Sequence, residues 1–137
     1  MRYRDWTTRL HREIQAASER PFSWGEFDCC TFAALCCVAV CGVDPLEKYH
    51  GRYSTETGAK RVLKNTHGSF ESLWDAYFER VPVAMRQRGD VVLFESELGR
   101  AVGVVWAGGV FAAAEDGVGR VKAEPEICWR VVNVKGD

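Results

Sequence analysis

Histidine is scarce in this sequence, at three residues in 137, and no Cys-x-x-Cys or Cys–His pair occurs at metal-ligand spacing. The Cys-x-x-Cys and Cys–His patterns of structural zinc sites are therefore missing, and neither a metal nor another cofactor is expected. An excess of either charge is missing too. Eighteen basic residues stand against 19 acidic ones, mixed along the chain, for a formal net charge of −1. That balance excludes the electrostatic footprint that nucleic acid or an anionic membrane surface demands. The small basic groups, Lys60 with Arg61 and Lys64 and the arginines at 2, 4, 9 and 12, are interleaved with Asp5, Glu13 and Glu56. They read as solvated helix faces.

No apolar run is long enough to cross a bilayer. The longest, residues 29 to 43, is broken by Thr31 and Gly42 and falls short of the ~20 residues required. The opening "MRYRDWTTRLHREIQ" carries charges every few residues in place of an apolar stretch. A cleaved secretory signal is not expected, and the chain is expected to be made in a cytoplasm. Cysteine, by contrast, is plentiful and crowded: five of the six lie at 29, 30, 36, 37 and 41, within "SWGEFDCCTFAALCCVAVCG". Residues on one rigid helix cannot meet to form a bridge, and Cys128 alone lies elsewhere, so reduced thiols are expected.

The length suits one domain, spanning residues 1–137. Trp6, Leu10, Ile14 and Ala17 recur at spacings of three and four, which predicts an amphipathic helix over residues 3 to 19, ending before Pro21. "FSWGEF" is a loop in which Gly25 permits a positive φ. Asp28 then stands as N-cap of a helix that stops at Gly42. Cys29, Ala33, Cys36 and Val40 share one face of it, Cys30, Ala34, Cys37 and Cys41 the next, and Leu35 and Val38 the third. A helix apolar all round is expected to be buried all round.

A polar helix follows from about 55 to 65, and another from about 70 to 80 with an aromatic stripe of Phe70, Trp74, Tyr77 and Phe78. Beyond Pro82 the pattern changes to period two, in "DVVLF", "AVGVVWA", "VFAAA", "GRVKA" and "ICWRVVNV", joined by turns such as "ELGR", "GG" and "EDG". The expected fold class is α+β: N-terminal helices, with the buried cysteine-rich helix packed on a C-terminal antiparallel meander of about five strands.

Placement along the helix separates the thiols. Cys36, Cys37 and Cys41 fall in mid-helix among aliphatics, where burial raises a thiol's pKa. Cys29 follows the cap residue, in the first turn, where free N–H groups and the helix dipole favour a thiolate. "DCCTF", followed some sixty residues later by "RGDVVLF" and then "AVGVVWAGGVFAAA", resembles the NlpC/P60 superfamily of papain-like cysteine peptidases. "WGEFDCCTF", "RGDVV" and "CWRVV" are similar to a phage and prophage family encoded among tail genes.

The resemblance implies a papain-like fold, a nucleophile at Cys29 behind the helix cap Asp28, and peptidoglycan stem peptides as substrate class. It also implies a histidine before Val102–Gly103, where this chain has Ala101, and a third polar residue where it has Ala112 or Ala113. An alanine can neither accept a thiol proton nor return one to a leaving amine. His11, His50 and His67 lie on other segments, and Glu115 and Asp116 fall in a turn.

Three functions compete. One is a phage tail tip or assembly protein, a degenerate peptidase whose partners are other tail proteins and whose destination is the virion. The second is a working cysteine hydrolase with a base improvised from His50 or His67. The third is a helical layer fused to an SH3-like barrel that binds a protein. None of them takes a nucleic acid, a membrane or a cofactor as partner.

Overall fold

A computed structural model describes residues 1–97 and 99–133, with helices first and strands after. The helices are α1 (Trp6–Ala17), α2 (Cys29–Cys41), α3 (Glu56–Thr66) and α4 (Phe70–Asp75). The strands are β1 (Glu79–Val81), β2 (Val91–Ser96), β3 (Gly99–Trp106), β4 (Gly109–Ala114), β5 (Gly117–Val121) and β6 (Ile127–Arg130), with one 3-10 turn, Val83–Met85, between β1 and β2. The chain is thus an α+β fold with four helices and a six-stranded antiparallel sheet.

Local chemistry explains where α2 begins and ends. The Asp28 carboxylate accepts from the Thr31 backbone N–H at 2.9 Å while the Thr31 hydroxyl accepts from the Asp28 N–H at 2.6 Å, a reciprocal cap on two orphan donors. A cap of this kind stabilises a helix by about 1 kcal/mol. At the other end Gly42, at φ +80°, closes the helix through its N–H to the Val38 carbonyl, and a Cβ there would strike the Tyr3 hydroxyl. Thr55 and Ser69 cap α3 and α4 by accepting from the backbone N–H groups of Gly58 and Ser72, without the reciprocal bond.

Packing then orders the layers. α2 lies between α1 and the sheet, against β3 and β4. Cross-strand partners Val91 and Val104, and Leu93 and Val102, turn toward the helices with Phe111, Ala113, Val118 and Trp129. Their neighbours Val92, Phe94, Ala101, Val105, Val110, Ala112 and Cys128 turn the other way and form a second, smaller apolar cluster. Each fully buried aliphatic here contributes roughly 1.5–3 kcal/mol.

Four expectations need correction. α2 is not buried all round: Leu35 is half-buried and Val38 is 41% exposed, because no element covers that third face. The helix expected to 80 stops at Asp75, since Tyr77 and Phe78 sit in a turn that leads into β1, a short strand that only its pairing with β6 sustains. The sheet is not a simple meander. Its order is β1-β6-β2-β3-β4-β5, so β6 returns past four strands to pair with both β1 and β2. The sheet also has two edges, β1 and β5. "ICWRVVNV" forms a strand only over Ile127–Arg130; Val134, and Leu98 in "ELGR", lie outside the described residues.

Candidate functional site

The loop before α2 and the loop after it converge on one carboxylate. Asp28, 1% exposed, accepts on Oδ1 from Thr31 and on Oδ2 from the Gly25 N–H at 3.0 Å and the Tyr53 hydroxyl at 2.6 Å. Gly25 is required at its position twice over. Its φ is +84°, and a Cβ would collide with the Tyr53 carbonyl. Burial, and then the bond to Asp28, push the Tyr53 phenol far above its ordinary range, so it acts as a donor that keeps its proton.

Cys29 follows directly. The Cys30 thiol, its partner in a shared hydrogen bond, holds Cys29 below the ordinary thiol range against the opposing effect of burial. The Val102 backbone N–H adds to this, whereas the negative charge of Asp28 works against it. One proton is shared between two sulfurs, so the same bond drives Cys30 well upward, with burial adding to the rise. Cys36 and Cys37 are pushed well up by burial and Cys41 is raised by it too, which separates the first-turn thiol from the mid-helix ones. All six cysteines are free.

A cavity of about 320 Å³ opens on these two thiols. Trp24, Leu46, Tyr49, Tyr53, Leu63, Phe70 and Leu73 give it apolar walls, and Glu56, Lys60 and Arg100 stand at it as charged groups. Those charges are already answered. Lys60 pairs with Glu56 at 3.2 Å, and Arg100 of β3 pairs with Glu71 of α4 at 3.0 Å and Glu126 at 3.4 Å. The cleft therefore suits an uncharged, apolar or acyl group better than a free carboxylate or amine.

Ala101 does not face this cavity. It packs with Phe94, its cross-strand partner, on the opposite face of the sheet. The β3 residue that meets Cys29 is Val102, and its contact is the backbone N–H. Gly103 likewise gives close approach on the far side, where a Cβ would press on Val110 and Phe94. Ala113 is on the helix side, packed against the main core, while Ala112 is on the other. Glu115 and Asp116 are exposed in the β4–β5 turn.

Among the described residues no imidazole lines the cleft. His11 is exposed on α1, and His50 pairs with Asp44 at 2.7 Å on an exposed surface. His67, the C-cap of α3, stacks on Tyr49 and shares a 2.6 Å hydrogen bond with its hydroxyl, so it stands behind a cleft wall. Burial lowers the His67 pKa and lifts that of Tyr49 to about 12. Also among the described residues, no group of three or more His, Cys, Asp or Glu could hold a metal, and no helix is long and apolar enough to cross a membrane.

Sequence reasoning overlooked Cys30, Tyr53 and Arg100. Tyr53 left no signal beyond an aromatic in a loop, because its role arises from a contact 25 residues back along the chain. Arg100 had a weak one: a charge one residue before an apolar strand, on the inward phase of the period-two pattern. The family model described as a domain of unknown function, DUF6950, matches residues 1–131. No curated protein matches the chain.

Proposed function

The chain belongs to the DUF6950 family, and from its cleft we propose that it is a phage tail component, placed near the tail tip, with a papain-like fold that has lost turnover. The observation that carries this is the surroundings of Cys29. The Cys29 thiol, its pKa lowered by the Cys30 thiol, opens on a cleft lined also by Asp28, Cys30 and Tyr53, with no imidazole among the lining residues. Amide cleavage by a thiolate needs an acid to protonate the departing nitrogen, and proton transfer of that kind contributes about 10²–10⁴ in rate. The groups at hand do not supply it. Tyr53 keeps its proton on Asp28, and the Arg100 guanidinium cannot release one.

The tail assignment draws its support from "WGEFDCCTF", "RGDVV" and "CWRVV", and its partners would be other tail proteins. Two measurements test the reading. Purified protein is expected to leave muropeptides uncut, and a phage carrying Cys29→Ser is expected to assemble and infect nearly normally where a gene deletion does not. Particles that assemble with Cys29→Ser yet fail to infect would refute it.

One observation favours the second reading, a working cysteine hydrolase acting on peptidoglycan peptides: His67, hydrogen-bonded to the cleft-wall residue Tyr49 from behind, in a cleft that holds the Cys29 thiol. Muropeptide turnover that disappears in both Cys29→Ala and His67→Ala would establish it.

A further inference from the structure

The face of the sheet turned away from the helices carries an open groove of about 1040 Å³, remote from the thiol cleft. Its floor includes a row of valines, Val105, Val110 and Val121, which are cross-strand neighbours on β3, β4 and β5. Four cations line it: Arg86 and Arg88 from the segment before β2, and Arg120 and Lys122 from β5 and just beyond it. Glu95 and Glu124 are the carboxylates there. No ion pair engages any of the four cations among the described residues, in contrast to Arg2, Arg80, Arg100 and Arg130. Where they have partners, these are carbonyls or rings: Arg86 donates to Val83, Arg120 to Ala107, and Arg88 lies 5.6 Å from the centre of the Trp106 ring.

The groove meets an open strand edge. β5 is the last strand of the sheet and pairs only with β4, and a second shallow groove of about 350 Å³ runs along it, sharing Arg120 and Val121 with the first. Unpaired main-chain groups on such an edge accept an added strand. We propose that this face docks an extended acidic segment of a partner protein. Its groove-side apolar side chains rest on the valine row, and its carboxylates, on the opposite face and at its ends, meet the cations at the rim, where Arg88 and Arg120 lean on the helix-side rings of Trp106 and Phe111. A nucleic acid fits less well, since no aromatic side chain lines the groove to stack a base and two carboxylates face the phosphates.

The test uses the full chain and a fluorescein-labelled peptide of alternating valine and glutamate, eight residues long, followed by fluorescence anisotropy at low and moderate salt. Binding that weakens with salt is expected. The double substitution Arg86→Glu with Lys122→Glu should weaken it tenfold or more, and Arg86→Gln with Lys122→Gln by a smaller factor. Lys64→Glu on α3, which changes net charge elsewhere, should shift it less than twofold. Thermal unfolding verifies that each variant folds, and the glutamine pair decides the matter if the glutamate pair does not. No binding of the peptide, or equal binding by the groove variants, overturns the proposal. So does tighter binding of a single-stranded oligonucleotide through the same residues. Self-association in sedimentation velocity that the groove variants abolish, without peptide binding, would replace the partner by a second copy of the chain.

Discussion

Asp28 and Asp90 are both buried, at 1% and 0% exposure, and each stands at the start of a core element, yet the two are answered in opposite ways. Asp28 receives neutral donors: two backbone N–H groups and the Tyr53 phenol. Asp90 receives two guanidinium groups, Arg2 at 2.9 Å and Arg130 at 3.1 Å, together with the Gln87 N–H at 2.8 Å. The difference lies in what each carboxylate organises. Around Asp90 the charge is neutralised, and the pairing ties the first residues of the chain and β6 to the front of β2. Around Asp28 the charge keeps its field, which Cys29 feels as a penalty on its thiolate. One aspartate holds the ends of the fold together; the other shapes a site.

The largest expected effect breaks the charged side of this contrast. Asp90→Ala leaves two guanidinium groups at a part-buried position with no counter-charge, and urea unfolding is expected to show a loss of about 3–5 kcal/mol. Arg130→Met combined with Asp90→Ala should cost less than the sum of the two single changes, and strict additivity would mean that the pairs are not coupled.

Asp28→Ala comes next. It removes the cap of α2 and strands the Tyr53 hydroxyl and the Gly25 N–H, for an expected loss of about 2–3 kcal/mol in the same measurement. A loss larger than that of Asp90→Ala would reverse the ranking of the two carboxylates. Tyr53→Phe, which takes away one donor and leaves the cap in place, is expected to cost about 1–1.5 kcal/mol.

The smallest effects are on the thiol and sharpen the comparison. Cys29 should react with iodoacetamide with a midpoint below that of an ordinary thiol. Cys30→Ala removes the donor that favours its thiolate, so the midpoint should rise and the rate at neutral pH should fall by about tenfold. Asp28→Asn removes a nearby negative charge, so the midpoint should fall and the rate rise. If Asp28→Asn slowed the reaction, the field assigned to Asp28 would have the wrong sign.

The local features of this chain were readable because their causes are local. The Asp28 cap, the Gly42 stop and the raised pKa of the mid-helix thiols each depend on neighbours within a turn or on apolar surroundings evident in "FAALCCVAVC". β1 was not readable, since "ERV" has neither the length nor the alternation of a strand and is held by register with β6. The return of β6 to a place between β1 and β2 was hidden for the same reason: pairing across tens of residues is set by which apolar faces must close, and a period-two pattern does not number its neighbours.

By itself the sequence determined the α+β order, the capped cysteine-rich helix, the first-turn position of Cys29 and the scarcity of imidazole. Alternation along "RAVGVVW" determined as well that β3 would have two faces. Only the tertiary structure decided which of them α2 covers, and with it that Val102 and Arg100 meet the thiol cleft while Ala101 looks away. It alone brought Tyr53 to Asp28 and set the Cys30 thiol and the Val102 amide against Cys29. The physical reason is that burial is a property of the assembled layers: a strand specifies that its faces differ, and the helix packed on one of them settles which is inside.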